Sequence, residues 1–166
     1  ARCFENKDVV HVHDKVDPKS DIEVINLELI YADLATVEKR IDTAKRAQKG
    51  GKDRDGEILL AALEKTFATL SAGKLVKETE FTDDEAVAMK DTQLLTMKPM
   101  LYVLNVDENQ LAAGFKLDFL KPDEQLPISV KIESEIASLA PEEAKEFMAT
   151  YDMTESGLDQ IGRAHV

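Results

Sequence analysis

Residues 101–108, LYVLNVDE, join a mostly apolar run to a polar segment that begins at Asn105. An apolar run of this length, bounded by Pro99 and by polar residues, predicts a short buried strand over residues 100–104 that ends at a loop. A second apolar run, LPISV at residues 126–130, predicts another strand. Open α/β sheets bind ligands just beyond the carboxyl ends of their strands. The polar residues that follow these two strands are therefore candidates for a binding site.

Helical periodicity dominates the first half of the chain. Asp17 and Pro18 predict the start of a helix that runs to about Gln48, and a second helix is expected over residues 55–72. Both helices carry apolar residues spaced alternately three and four positions apart, which is the spacing of a heptad seam. The seam residues are Leu27, Ile30, Leu34, Val37, Ile41 and Ala44 in the first helix, and Leu60, Leu63, Phe67 and Leu70 in the second. Two such seams joined by a short Gly-rich turn predict an antiparallel helical hairpin with coiled-coil packing.

Further helices are expected on both sides of the two strands. Residues 82–85, TDDE, have the sequence of a capping box and predict a third helix that ends near Leu95. Two more helices are expected over residues 131–140 and 141–150, whereas residues 109–125 have a poor pattern and are expected to form an irregular helix or a loop. A long helical segment between sheet elements predicts a domain inserted into an α/β sheet.

The predicted fold class is therefore α/β, with an inserted α-helical domain. Residues 1–16 are expected to end the first half of a sheet domain, residues 17–97 to form the inserted helical hairpin, and residues 98–160 to form the second half of the sheet domain. The last six residues, IGRAHV at 161–166, fit no helix pattern. They match what one reading frame of a widely used sequencing-library adapter encodes, so we expect this tail to be non-native.

The composition limits the classes of function. The chain has 166 residues, of which 43% are hydrophobic, enough to bury a core. Its net charge of −12 argues against non-specific binding to nucleic acid or membranes, provided that the charge is evenly spread. Cys3 is the only cysteine, which excludes a disulfide framework and makes a reducing, cytoplasmic setting the expectation. No apolar stretch approaches the length of a membrane span, and His11 and His13 lack further ligands, so neither a membrane nor a metal site is expected.

The charge is not evenly spread. Between Lys39 and Arg54 the chain has seven basic and two acidic residues, a net charge of +5 at the expected tip of the hairpin. The basic residues are Lys39, Arg40, Lys45, Arg46, Lys49, Lys52 and Arg54. One interpretation is a solvated helix end, because cations complement the dipole at a helix C-terminus. The other is a surface that contacts the phosphate backbone of RNA or the ribosome; the tip has no aromatic residue, which does not favour base stacking.

The polar segments after the two strands, NVDE at 105–108 and SVK at 129–131, resemble the two base-recognition loops of P-loop GTPases, which usually read NKxD and SAK. In those proteins the Asn links the loops and contacts the base, the acidic residue pairs with the guanine edge, and the backbone of the second loop contacts the base. The resemblance implies a base-binding role for Asn105, Val106, Glu108, Ser129, Val130 and Lys131. Taken without the resemblance, Asn105 and Glu108 also fit an Asx-type turn and a solvated loop carboxylate.

Longer stretches resemble the YchF family, the Obg-like ATPases. They are RCFENKDVVHV at 2–12, VDPKSDIEVINLELIYADLATVEKR at 16–40, KPMLYVLNVDE at 98–108, SVKIESEIASL at 129–139 and ESGLDQ at 155–160. Residues 1–160 as a whole resemble the middle of such a protein. The family has an Asn-x-x-Glu loop and accepts or prefers ATP over GTP. Its fold is a G domain, a P-loop NTPase sheet, with an inserted helical hairpin and a TGS domain that follows.

The resemblance implies a parent protein that hydrolyses ATP, or GTP, with Mg²⁺ and associates with the ribosome. The sequence has no G-x-x-x-x-G-K-[ST] motif, so we expect a fragment that lacks the P-loop and the TGS domain and that alone neither hydrolyses ATP nor binds it measurably. Glu108 is one methylene longer than Asp, which predicts a relaxed choice between guanine and adenine. The alternative is a non-enzymatic helical module that binds RNA, the ribosome or a protein through its basic tip.

Overall fold

The computed structural model describes residues 1–4, 16–51, 53–151 and 153–164. The chain divides into two compact units: a helical unit, Glu23–Met100, and a sheet unit formed by Ala1–Ile22 and Leu101–Val166. The α-helices within the described ranges are α1 Pro18–Lys49, α2 Arg54–Ser71, α3 Asp83–Met89, α4 Glu108–Ala112, α5 Val130–Ser138, α6 Pro141–Thr150 and α7 Gly157–Ala164, and the strands are β1 Tyr102–Asn105 and β2 Gln125–Ile128. The fold is thus a mixed α/β arrangement, rich in helix, with a small parallel sheet.

The sheet is built around β1. Strand β2 pairs with β1 in parallel, from Tyr102 opposite Gln125 to Asn105 opposite Ile128. On the other side of β1, Arg2 forms a parallel bridge to Asn105. Tyr102 and Leu104 are buried, which is the alternation expected of a strand that packs one face on a core. β1 therefore lies between β2 and the N-terminal residues.

The predicted strand and helix limits need three corrections. Strand β1 spans Tyr102–Asn105 rather than residues 100–104. Strand β2 ends at Ile128 rather than at residue 130, because Ser129 already occupies the N-cap position of α5. The third helix ends at Met89 rather than near Leu95, and Gln93 takes a left-handed conformation with φ of 51° that no helix continues through. The predicted start of this helix is confirmed, because Thr82 and Glu85 form the capping box.

The helical unit buries the apolar seams of α1 and α2 in one core. Ile30, Val37 and Ala44 of α1 are buried in the same cluster as Leu63 and Leu70 of α2. Because only residues 50–53 connect two helices that pack together, α1 and α2 run antiparallel. The buried seam of α1 begins at Ile30, three residues later than predicted, since Leu27 is 44% exposed. In α2 the core also includes Ala62 and Thr66, which the spacing did not identify.

The turn between α1 and α2 lies at the surface. Gly50 and Gly51 are both exposed, and Gly51 has a φ of 155°, a conformation that a side chain rarely adopts. Asp53 then caps α2, its carboxylate accepting the backbone N–H of Gly56. This turn accordingly contributes to the connection between the helices and not to the buried core.

Asp33 is a buried acidic side chain in the helical unit, only 3% exposed. Its Oδ1 accepts the backbone N–H of Leu95 at 2.9 Å, and its Oδ2 accepts both the backbone N–H and the hydroxyl of Thr96, each at 2.7 Å. The Thr96 hydroxyl in turn accepts the backbone N–H of Val76 at 3.2 Å. Asp33 therefore fixes two loop segments against α1.

The C-terminal helix α7 includes Ile161–Ala164 of the tail. The expectation that the tail follows no helix pattern is wrong for these four residues, because the helix continues through Gly162 and Arg163 pairs with Glu155. Among the described residues, no helix combines the length and the apolar character needed to span a membrane.

Candidate functional site

Two loops meet at the carboxyl end of the parallel pair β1–β2. They line an open cleft of about 730 Å³. The residues predicted for the site all line this cleft: Asn105, Val106, Glu108, Ser129, Val130 and Lys131. Residues from two loops 21 or more positions apart in sequence, Asn105–Glu108 and Ser129–Lys131, come together here because parallel strands end at the same edge of a sheet.

Asn105 links the two loops. It is the last residue of β1, and its side-chain Oδ1 accepts the backbone N–H of Val130 at 3.4 Å, a long hydrogen bond. Its own backbone is held on the other side of β1, where its N–H donates to the carbonyl of Ala1 and its carbonyl accepts the N–H of Cys3, both at 2.8 Å. Burial raises the pKa of the Cys3 thiol, which favours the protonated form. Asn105 is thus positioned by the sheet and ties the first loop to the second.

Val106 lines the cleft as an uncharged, apolar residue. Its side chain is buried, and its backbone N–H donates to the carbonyl of Ile128 at 2.9 Å. Ser129 is also buried, and its carbonyl accepts the N–H of Glu133 to begin α5. These contacts extend the β1–β2 pairing into both loops, which makes the floor of the cleft rigid.

A capping box positions Glu108 and was not identified from the sequence. Asp107 Oδ1 accepts the backbone N–H of Gln110 at 2.8 Å, and Gln110 Oε1 accepts the backbone N–H of Asp107 at 3.1 Å. Gln110 also donates from Nε2 to the carbonyl of Cys3 at 2.9 Å. The signal was available, because Asp-x-x-Gln is the sequence pattern of a capping box. It makes Glu108 the first residue of α4.

Glu108 and Lys131 form an ion pair across the two loops. Glu108 Oε1 lies 2.6 Å from Lys131 Nζ, and the two side chains are 38% and 71% exposed. The hydrogen bond and the negative charge of Glu108 raise the pKa of Lys131 above its ordinary value, because both stabilise the ammonium form. The acidic side chain of the first loop therefore has a cationic partner from the second.

Phe4 is a further residue of the cleft that the sequence analysis missed. It lines the cleft directly after the N-terminal residues that pair with β1, and the Arg2 guanidinium carbon lies 4.8 Å from the centroid of its ring. Arg2 Nε also donates to the carbonyl of Phe4 at 3.0 Å. No local signal identifies Phe4, because it reaches the cleft only through the pairing of residues 1–3 with β1.

The basic tip divides into paired and unpaired cations. Lys45 pairs with Glu64 at 2.9 Å, Arg54 pairs with Asp84 at 3.6 Å, and Arg40 donates to the carbonyl of Asp91 at 3.0 Å. Lys39, Arg46 and Lys49 are exposed and have no ion pair or hydrogen-bond partner for their side chains among the described residues. Lys52 lies outside the described residues. The three unpaired cations are spaced seven and three positions apart on α1 and so share one side of the helix.

Metal-ligating side chains do not cluster in the part of the chain that the structure describes: no three His, Cys, Asp or Glu residues lie close enough to hold an ion. His11 and His13 lie outside that part.

Comparison with curated proteins identifies relatives across the whole chain. The ribosome-binding ATPase YchF of Bacillus subtilis is 39% identical over 173 residues, and that of Escherichia coli O157:H7 is 37% identical over 170 residues. Each alignment covers 99% of this chain. The chain belongs to the YchF family. It spans about half the length of the curated YchF relatives it matches, 47% in both cases.

The fold agrees with a solved YchF structure. The Schizosaccharomyces pombe YchF GTPase superposes with a TM-score of 0.78 over 99% of this chain and 47% of that protein, at 24% sequence identity. At this identity the superposition supports the YchF fold alone. No protein-family model matches the chain.

Proposed function

We propose that residues 98–160 supply the base-recognition half of the nucleotide site in a YchF protein that hydrolyses ATP or GTP. The observation that carries the proposal is the cleft at the carboxyl ends of β1 and β2, where Asn105, Glu108 and Lys131 come together. The position is the one at which open α/β sheets bind ligands. The YchF relatives carry the description ribosome-binding ATPase, which agrees with a nucleotide as the ligand.

Each loop has a separate role in this proposal. Asn105 fixes the first loop against the second, Glu108 faces the edge of the purine, and the backbone of residues 129–131 contacts the base. Because Glu is one methylene longer than Asp, its carboxylate does not reproduce the bidentate geometry that reads guanine. A site that does not require the guanine donors does not strongly reject adenine. Relaxed base selectivity follows.

The phosphates and Mg²⁺ are assigned to other parts of a YchF protein. Phosphoryl transfer needs a P-loop backbone, a Lys and a hydroxyl that binds Mg²⁺, and the sequence of this chain has no G-x-x-x-x-G-K-[ST] motif. We therefore expect residues 1–166 neither to hydrolyse ATP nor to bind it with micromolar affinity. In the same proposal, residues 17–97 are a hairpin inserted between residues 1–16 and 98–160 of the G domain, and residues 161–166 are non-native.

Nucleotide titration of the ¹⁵N-labelled chain tests the base site. Millimolar AMP and GMP are expected to shift the amide signals of Asn105 and Val130, while signals of the helical unit such as Gly73 stay unchanged. Ribose 5-phosphate, which lacks the base, is the matched control and should leave Asn105 and Val130 unaffected. Asn105→Ala should weaken both titrations, because it removes the link between the loops. Shifts that follow ribose 5-phosphate equally well would exclude base recognition.

The second candidate function is contact with RNA or the ribosome through the basic tip. The observation that favours it is the set of exposed, unpaired cations Lys39, Arg46 and Lys49 on one side of α1. Lys45 and Arg54 already have a carboxylate partner, whereas unpaired cations can neutralise phosphates and release the counterions of the RNA. A ribosomal partner would place the protein in the cytoplasm.

RNA binding at a series of salt concentrations tests the tip. Replacing Lys39, Arg46 and Lys49 with Ala should weaken binding to a labelled RNA and lower the slope of log affinity against log salt by roughly two to three, one phosphate contact for each cation. The control variant replaces three exposed lysines of the same unit away from the tip, Lys74, Lys77 and Lys98, with Ala and has the same net charge. Equal losses in the two variants would assign the binding to net charge and not to the tip.

A further inference from the structure

The Glu108–Lys131 ion pair joins the two loops of the cleft at the level of the base-recognition residues. Glu108 is the first residue of α4, and Lys131 is the second residue of α5. Their contact, 2.6 Å between Oε1 and Nζ, therefore connects the loop after β1 with the loop after β2. Both side chains also line the cleft, so a ligand in the cleft meets the pair and not an isolated carboxylate.

The ion pair changes how many oxygens of Glu108 are free to accept hydrogen bonds from a purine. Guanine presents two neighbouring donors, N1–H and the 2-amino group, and both oxygens of one carboxylate are needed to accept them. In this structure one of the two oxygens, Oε1 of Glu108, is held by the ammonium of Lys131. Adenine presents a donor, the 6-amino group, beside an acceptor, N1. The remaining oxygen of Glu108 is enough to accept this one donor.

We propose that Lys131 sets the base selectivity of the cleft by holding one oxygen of Glu108, so that the cleft does not favour guanine over adenine. The inference rests on the proposed function, since it requires that the cleft receives a purine. Lys131 is a positioning residue in this role, because it acts on guanine selectivity through Glu108.

An ion pair of the same kind elsewhere in the sheet unit provides a matched control. Lys145 of α6 pairs with Glu142 at 3.2 Å within one helix, and both side chains are exposed. Neither residue lines the cleft at β1 and β2. Removing the ammonium of Lys145 therefore has the same effect on net charge and on the number of ion pairs as removing that of Lys131. It leaves the Glu108 carboxylate at the cleft unchanged.

The experiment compares AMP and GMP titrations of the ¹⁵N-labelled chain, with dissociation constants taken from the amide shifts of Asn105 and Val130. Lys131→Met, which keeps an unbranched apolar side chain and removes its charge, is expected to raise the affinity for GMP relative to AMP by up to about fivefold, the upper end of the range measured for exposed ion pairs. Lys131→Arg keeps the cation and should retain the wild-type ratio. Lys145→Met should also retain it.

A double variant shows whether the change acts through Glu108. In the Lys131→Met background, Glu108→Gln should return the GMP to AMP ratio to the wild-type value, because the gain for guanine comes from the second carboxylate oxygen, even though a Glu aligns its two oxygens less well than an Asp. If Lys131→Met keeps the wild-type ratio of GMP to AMP affinity and both nucleotides still shift the amide signals of Asn105 and Val130, the role of Lys131 is overturned and the base site stands. If neither nucleotide shifts Asn105 or Val130 in the wild-type chain, the proposed base site fails, and this inference fails with it.

Discussion

The Glu133 carboxylate accepts the backbone N–H of Gly157 at 2.7 Å and thereby joins α5 to the first turn of α7. Its second oxygen accepts the N–H of Leu158 at 3.4 Å, and the Glu133 side chain is 6% exposed. A carboxylate at this end of a helix satisfies free N–H groups and complements the helix dipole. Since α5 begins at the second loop of the cleft, this contact fixes α7 to the element that carries Lys131.

Glu133→Ala is expected to destabilise the sheet unit by about 1–3 kcal/mol, because it leaves two N–H groups near a buried position without an acceptor. Hydrogen exchange of the amides of α7, measured by NMR, should accelerate first in the turn that starts at Gly157. The control is Glu146→Ala, which removes an exposed carboxylate of α6. Equal exchange of the α7 amides in the two variants would argue that Glu133 does not hold the helix.

Gly157→Ala should also destabilise the sheet unit, by about 1–3 kcal/mol, because the added methyl group has no space. A Cβ at this position lies 2.5 Å from Cγ2 of Ile128 and 3.0 Å from Oε1 of Glu133. Thermal unfolding followed by residue-specific NMR signals measures the effect. Gly162→Ala is the control in the same helix, where an added Cβ meets nothing within 4 Å. This control should instead stabilise by about 0.4–1 kcal/mol.

Asp33→Ala is expected to destabilise the helical unit by about 1.5–3 kcal/mol, the range for hydrogen bonds to a charged group, because Leu95 and Thr96 lose their acceptor. Far-UV circular dichroism on heating measures the change. The control is Asp42→Ala, which makes the same substitution at an exposed position of α1 and so carries the same helix-propensity term. A loss in Asp42→Ala as large as that in Asp33→Ala would contradict the role of the buried network.

The capping box of α3 should weaken in acid. The hydrogen bond from Lys65 and the backbone N–H of Thr82 lower the pKa of Glu85 below its ordinary value. A lowered folded-state pKa means that the stabilisation is fully present above the unfolded pKa and disappears as the pH falls through the folded one. A carboxyl titration by NMR should give a pKa for Glu85 below 4.5.

Lys65→Met should raise that pKa towards 4.5, because Glu85 loses the hydrogen bond that lowers its pKa most and keeps the one from Thr82. Lys77→Met removes another lysine of the same unit, one that does not act on the Glu85 pKa, and should leave that pKa at its wild-type value. A Glu85 pKa at 4.5 in the wild-type chain would show that the Lys65 contact at 2.7 Å does not persist in solution.

Local signals predicted the helices of the first half well. Asp17-Pro18 and the Gly-Gly pair placed α1 from Pro18 to about Gln48, against Pro18–Lys49 in the structure, and α2 was placed at about 55–72, against Arg54–Ser71. These limits depend on caps and turns, which are short-range features of the chain. The loops of the cleft were predictable for a similar reason, since polar residues directly follow β1 and β2.

Contacts between distant residues were not predictable from local pattern. Asp33 looks like a solvated residue of an amphipathic helix, and its partner Thr96 lies 63 positions away. Glu133 and Phe4 depend in the same way on elements far along the chain. Leu27 continues the heptad spacing but is exposed, because periodicity defines a helix face and not how far along it a neighbour packs. The proposed insertion of residues 17–97 into a G domain remains a prediction.

The exposed Gly50-Gly51 turn has a consequence for how the helical unit can be rebuilt. The buried seam between α1 and α2 uses Val37, Leu63 and their neighbours, and none of the turn residues that the structure describes. The backbone link at this point therefore keeps α1 and α2 close together, and its described residues add no contact to the buried core. The unit is suited to being opened here, as a split pair of fragments that reassemble or as a circular permutant with new termini at Gly51, since exposed loop tips of small residues tolerate such breaks.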